Sequence, residues 1–285
     1  MLLIIGFLLV LGGCVGGFVM AGGHVASLIV PSEIVTLGGI TIGLLVISSS
    51  MNGLKNLVRA LVVALKGGSV AKPDVDELLK LLYELFNTAR RNGLIALEDH
   101  VLDPKKSAIF TKYKSLASNH ERLDFLCNGL KPLIDGRIKP DQLESLMMVS
   151  VNAKEEEASE PIHMMQLIGD SLPGIGIIAA VLGIIHTMAI VDQGAALVGK
   201  AVAGALTGTL MGVLGAYGFV NPTAAKISHN NALELQYYVA LMRGLCGFAQ
   251  GMAPLMAVEV SRRCLDHTLT PSADQLEEIL KTVGK

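Results

Sequence analysis

Four stretches of this chain are almost free of charge: about 1–23, 34–54, 171–191 and 201–222. Of 23 Lys and Arg and 25 Asp and Glu, residues 1–54 hold only Glu33, and residues 171–225 hold only Asp192 and Lys200. An α-helix needs about 20 apolar residues to cross about 30 Å of hydrocarbon. The pattern therefore predicts an all-α membrane protein with four transmembrane helices, in the pairs 1–54 and 171–222. Between them lies a polar insert, 55–170, and after them a tail, 223–285. In the insert, 66–73 reads as a linker, and Leu78, Leu79, Leu82, Leu85 and Phe86 form the apolar face of a helix over 74–91. Gly93 ends it, a short helix covers 94–102, and further helices are expected near 107–117, 119–134 and 140–158. No strand-like alternation is present. In the tail, the helix beyond Pro222 carries an apolar side through Ile227, Leu235, Val239, Leu241 and Met242 until Pro254 interrupts it. A last helix over 271–285 is expected to be capped by Ser272.

Composition sharpens this picture. Of 285 residues, 51% are hydrophobic and 17% charged, against about 25% charged in an ordinary soluble domain. A net charge of −2 gives no case for binding nucleic acid. Of 31 glycines, 21 fall in 1–54 or 171–225. Gly204, Gly208, Gly212 and Ala216 form a stripe at helical spacing; Gly13, Gly17 and Ala21 form another, and Gly39 with Gly43 a third. Small residues four apart let helices approach closely, either within the chain or between copies.

Lys and Arg set the orientation. The 24–33 loop has none and the 192–200 loop only Lys200, whereas Lys55, Arg59, Lys66 and Lys72 follow the second span and Lys226, Arg243, Arg262 and Arg263 the fourth. Both large polar parts and both termini are thus expected in the cytoplasm. Leu11-Gly12-Gly13-Cys14 resembles a lipoprotein cleavage box, but no basic residue precedes it, so no cleavage is expected. The four cysteines have no metal-like spacing and are expected as free thiols.

No phosphate-binding loop, zinc motif or nucleophile elbow is present, so the chain is not expected to be an enzyme or to carry a cofactor or metal. No Asp, Glu, Lys or Arg falls mid-span by position, and an ion path through lipid usually needs an ionisable group. If this chain handles an ion, a partner must supply the carboxylate. The polar groups within the spans are Thr207, Thr209, Tyr217 and His186. His186 is expected to be buried, and the threonines either bond their own helix or line a pore. Arg90-Arg91 and Glu98-Asp99 flank an apolar turn. They form either a solvated surface or a docking surface with both signs of charge. Pro173 is either a first-turn proline or a hinge, and Pro222 either a kink at the helix exit or a hinge.

Several segments resemble the MotA-type stator proteins of the MotA/TolQ/ExbB ion-channel family. They are Gly22-Gly23, Pro31-Ser-Glu-Ile, Arg90 through Glu98, Gly169-Asp-Ser-Leu-Pro173 through Gly183, Gly208 through Pro222, and Ala253 through Arg263. The likeness covers nearly the whole chain. It implies a stator subunit of the bacterial flagellar motor in the inner membrane. Five copies would surround two copies of a MotB-like partner that has one span, a proton-binding Asp and a peptidoglycan-binding domain. Arg90 and Glu98 match charges that face the rotor switch protein. Pro173 and Pro222 match a pair that couples ion flow to movement. Thr209 near Tyr217 matches the threonine of the ion path, and Asp170 the acidic residue at its inner mouth. Sodium-driven relatives tend to carry Thr where this chain has Ala180, which implies drive by the transmembrane proton gradient. Gly174-Ile175 stands where many relatives have Ala-Phe. Two other readings stay in view: a TolQ/ExbB-like subunit energising an outer-membrane system, and a channel or permease that acts alone.

Overall fold

The computed structural model describes residues 2–283, and every regular element among them is helical. In chain order these are α1 (Leu2–Met20), α2 (Pro31–Ser48), α3 (Met51–Lys66), α4 (Lys72–Asn92), α5 (Glu98–Leu102), α6 (Lys114–Ala117), α7 (His120–Ile134), α8 (Pro140–Ala189), α9 (Ala195–Leu214), α10 (Asn221–Ala249), α11 (Pro254–Arg263) and α12 (Ala273–Lys281). Four helical stretches are long and apolar enough to cross a membrane: Leu2–Met20, Val25–Ser48, and parts of Pro140–Ala189 and Ala195–Ala249. The chain is a multi-pass membrane protein. It divides into two compact units, Met1–Gly68 with Ala158–His229 and Ser69–Glu157 with Asn230–Lys285.

The second unit is built like a soluble domain. The predicted face of α4 is buried, together with Val75, Leu81 and Ala89. It joins one core with Phe110, Leu126, Leu130, Tyr237 and Leu241. Each such side chain contributes roughly 1.5–3 kcal/mol on burial. Phe86 stacks on Phe248 with ring centroids 4.4 Å apart. A charged group also lies in this core. Arg122, 2% exposed, donates from Nε to Glu234 Oε1 at 2.8 Å and from its terminal nitrogen to Glu234 Oε2 at 2.6 Å and the Ser69 carbonyl at 3.0 Å. Its guanidinium sits over the Tyr237 ring. All four cysteines are free. Burial, with Asp124 nearby, pushes the Cys127 thiol up to about 12, which makes it inert.

Three expectations change here. The helix expected over 107–117 is only a 3-10 turn at Phe110–Lys112 and the four-residue α6. The Ser107 hydroxyl accepts from the Ile109 and Phe110 amides, and such local bonds compete with helix. Tyr113 and the Ser115 amide then tie the segment to Glu84 and Glu77 on α4. The helix expected over 140–158 does not stop there. It runs for 50 residues to Ala189, through Pro161 and Pro173. An interior proline costs roughly 3 kcal/mol, and burial of Met164, Met165, Ile168 and Leu172 between the two outweighs it. Finally, α3 is a separate amphipathic helix. The Ser50 hydroxyl caps it by accepting from the Gly53 amide at 2.9 Å, and Gly67 closes it in the left-handed region at φ 112. The last helix is capped by Ser272 as expected, in a capping box with Gln275.

Candidate functional site

The membrane unit is organised by the seam between α8 and α9. A Cβ added at Gly212 would lie 2.6 Å from the Leu172 carbonyl oxygen and 2.9 Å from the Gly176 Cα. One added at Gly176 would lie 2.9 Å from the Gly208 carbonyl oxygen. These are backbone atoms, which side-chain motion cannot relieve. The stripe in the fourth span therefore packs within the chain. At Gly13, Gly17, Gly39 and Gly43 an added Cβ would meet nothing within 4 Å, so these glycines make no such close approach within the chain.

One of the expected pathway residues bridges this seam, and another adjoins it. The Thr209 hydroxyl donates to the Gly176 carbonyl across it, at 3.4 Å, whereas the Thr207 hydroxyl bonds its own helix at Ala203. Ala180 follows Gly176 by one turn of α8 and is buried. Tyr217 is not on the seam: it is 66% exposed and lines a groove of about 430 Å³ with Phe7, Val10, Pro222, Lys226 and His229. Asp170 is exposed and borders a separate polar pocket of about 420 Å³ with Gln166, Asn221 and Ser228. The Asn221 side chain fills the space beside Gly169 that a Cβ would need. His186, expected to be buried, is exposed.

The two prolines occupy different settings. Pro173 lies deep inside α8, so the first-turn reading fails. Pro222 is the second residue of α10 and follows a π-helical segment, Gly215–Val220. A proline cannot supply the amide that the carbonyl four residues earlier expects, and a π turn shifts that pairing by one residue. The Thr223 hydroxyl also donates to the Phe219 carbonyl at 2.6 Å. Position and charge pattern revealed Pro222; the π segment beside it had no signal in the sequence.

Position in the sequence missed one residue of this unit. Glu33, in the first turn of α2, is 5% exposed. Its carboxyl occupies the space that Gly208 leaves open beside Ala179, close to Gly183. Its Oε2 has no hydrogen-bond partner among the described residues. The spans thus do enclose one carboxyl group, next in sequence to neither Thr209 nor Ala180 but packed against the residue adjoining each. The signal was available: Glu33 is the single charge in the first 54 residues.

In the second unit, Arg90 closes α4 and Glu98 opens α5. Both are exposed. Gly93, at φ 82, turns the chain between them, and Ile95 at the tip is 73% exposed. The turn thus presents an exposed apolar side chain between paired charges of opposite sign.

Two family models match the chain: Motility protein A N-terminal over residues 4–93, and the MotA/TolQ/ExbB proton channel family over residues 117–239. Motility protein A of Salmonella typhimurium is 35% identical over 283 residues, which cover 99% of this chain and 96% of that protein. Its Escherichia coli counterpart is 34% identical with the same coverage. Among solved structures, C. jejuni MotAB aligns with a TM-score of 0.77 at 23% identity, over 93% of this chain and 95% of that one. The flagellar MotAB stator complex from Bacillus subtilis aligns at 0.74 and 24%, over 96% and 98%.

Proposed function

This chain belongs to the MotA/TolQ/ExbB proton channel family, and from that premise we propose that it is a stator subunit of the bacterial flagellar motor. With a MotB-like partner it forms a proton-conducting complex that converts ion flow into torque. The observation that carries this reading is the end-to-end likeness to Motility protein A, at 35% identity over 283 residues. The match of 4–93 to the Motility protein A N-terminal model, together with four candidate spans, favours it over a TolQ/ExbB-like energiser. Its work is mechanical rather than enzymatic.

In this reading the subunits sit in the inner membrane, with both termini in the cytoplasm. Five copies surround the partner's membrane helices, and the partner's Asp takes and releases the proton. Thr209 and Ala180 face that exchange from the α8–α9 seam. A methyl group at Ala180 adds no oxygen ligand for Na⁺, and this supports proton drive. Asp170 takes the released proton toward the cytoplasm. Pro173, at the inner start of the third span, lets α8 bend, Pro222 lets the π segment beside it change shape, and Arg90 and Glu98 pass the motion to the rotor switch protein.

Deletion of the gene in a cell with no second stator gene is the direct test. Flagella are expected to assemble but not turn, and normal swimming would refute the proposal. Arg90→Glu is expected to lower swimming speed several-fold in viscous medium with the amount of protein in the membrane unchanged. Tracking and immunoblotting read the two effects separately.

A further inference from the structure

We propose that the exposed face of α3 binds the headgroups of anionic phospholipids at the membrane surface. At about 100° per residue, Leu65, Val58, Met51 and Val62 fall within an arc of about 60° on this helix. Their exposures are 43%, 61%, 75% and 43%. Lys55, Lys66 and Arg59 follow within the next arc of about 60°, on one flank of that stripe. Lys55 and Lys66 are exposed and form no ion pair among the described residues. The opposite side is committed to the protein: Gly53, Leu57 and Ala64 are buried, and Leu57 and Ala64 join one cluster with Met164, Met165 and Ile168 of α8.

The helix thus has three sides: one packed on its own unit, one exposed and apolar, and one basic. A water-facing helix would not keep four large apolar side chains exposed in a row. A helix lying in hydrocarbon would not carry three cations on one flank. A helix in the plane of a membrane surface satisfies both, with the apolar stripe at the level of the acyl chains and the cations among the phosphates. On the exposed sides the charge is basic: residues 34–73 contain no Asp or Glu, and the Glu160 carboxylate of α8 lies beside Gly53 on the buried side. That sign selects anionic lipid over zwitterionic lipid. The proposal rests on the membrane reading of the chain but not on its role in the motor, so the two fail separately.

Binding of a fluorescent phosphatidylglycerol and a fluorescent phosphatidylcholine to the purified full chain in detergent tests it. The wild-type chain is expected to prefer phosphatidylglycerol. Lys55→Gln with Lys66→Gln should weaken that binding on the order of fivefold per charge removed, leave phosphatidylcholine unchanged, and keep the helical circular-dichroism signal. Lys55→Arg with Lys66→Arg should retain the preference. Equal affinity for the two lipids in the wild type, or an unchanged preference in the glutamine variant, would overturn the proposal. So would a change of oligomer size in Val58→Asn with lipid preference intact, because the stripe would then be covered by a second copy.

Discussion

Gly212→Leu is expected to abolish both accumulation of the protein and swimming, because the added side chain has nowhere to go. Its Cβ alone would fall 2.6 Å from the Leu172 carbonyl oxygen and 2.9 Å from the Gly176 Cα, so α8 and α9 must part along the whole seam. Gly212→Ala already overpacks it, at a cost of about 1–3 kcal/mol. The comparison that makes this specific is Gly43→Ala. There an added methyl meets nothing within 4 Å, and alanine is the better helix former by about 1 kcal/mol. Gly43→Ala is therefore expected to leave the thermal stability of the detergent-solubilised chain unchanged or slightly higher. Equal losses from the two alanine substitutions would show that glycine content matters rather than the seam.

Arg122→Ala carries the largest expected loss in the second unit. Removing one member of a buried, bidentate ion pair leaves the other without a partner, at a cost of roughly 3–5 kcal/mol. Here Glu234 would lose both of its hydrogen bonds from Arg122, and the Ser69 carbonyl would lose its own. The Tyr237 ring would lose the cation above it. Replacing both partners with apolar residues, Arg122→Met with Glu234→Leu, is expected to recover most of the loss, since neither charge then remains to be solvated. Thermal unfolding of the full chain reads both variants. A double variant no better than Arg122→Ala would place the stabilisation in Arg122 packing rather than in the pair.

Much of this architecture was legible because its physics is local. A membrane span is a run of uncharged residues, and the charges of 1–54 and 171–225 could be counted directly. The buried face of α4 was legible because leucines at helical spacing have only one side to share. The α8–α9 contact was half legible: the stripe through Gly204, Gly208 and Gly212 announced a close approach, but nothing in a stripe says whether the neighbour is the same chain. The misses depend on distant partners. Glu33 is the last residue of the predicted 24–33 loop, and only the fold brings Gly208 and Ala179, more than a hundred residues away, around its carboxyl. The continuity of α8 through Pro161 and Pro173 depends on packing between the two prolines, which overrides the local preference. Helix α3 was hidden because its cations were read as marking the end of a span, when they also form one flank of a second helix. Among the pathway residues, the fold brings Thr209 onto the seam and Ala180 beside it, whereas Tyr217 and Asp170 line other pockets.

The central claim is that the proton-carrying carboxylate of the working complex comes from the partner, although this chain encloses Glu33. The deciding measurement is rotation of tethered cells that lack their own stator genes and express this chain with its single-span partner. Wild-type partner is expected to restore rotation that follows the proton gradient and ignores external Na⁺, and replacement of the partner's intramembrane Asp by Asn is expected to stop it. Rotation that persists with the Asn partner, and stops only when Glu33→Gln is added, would contradict the claim and place the carrier in this chain.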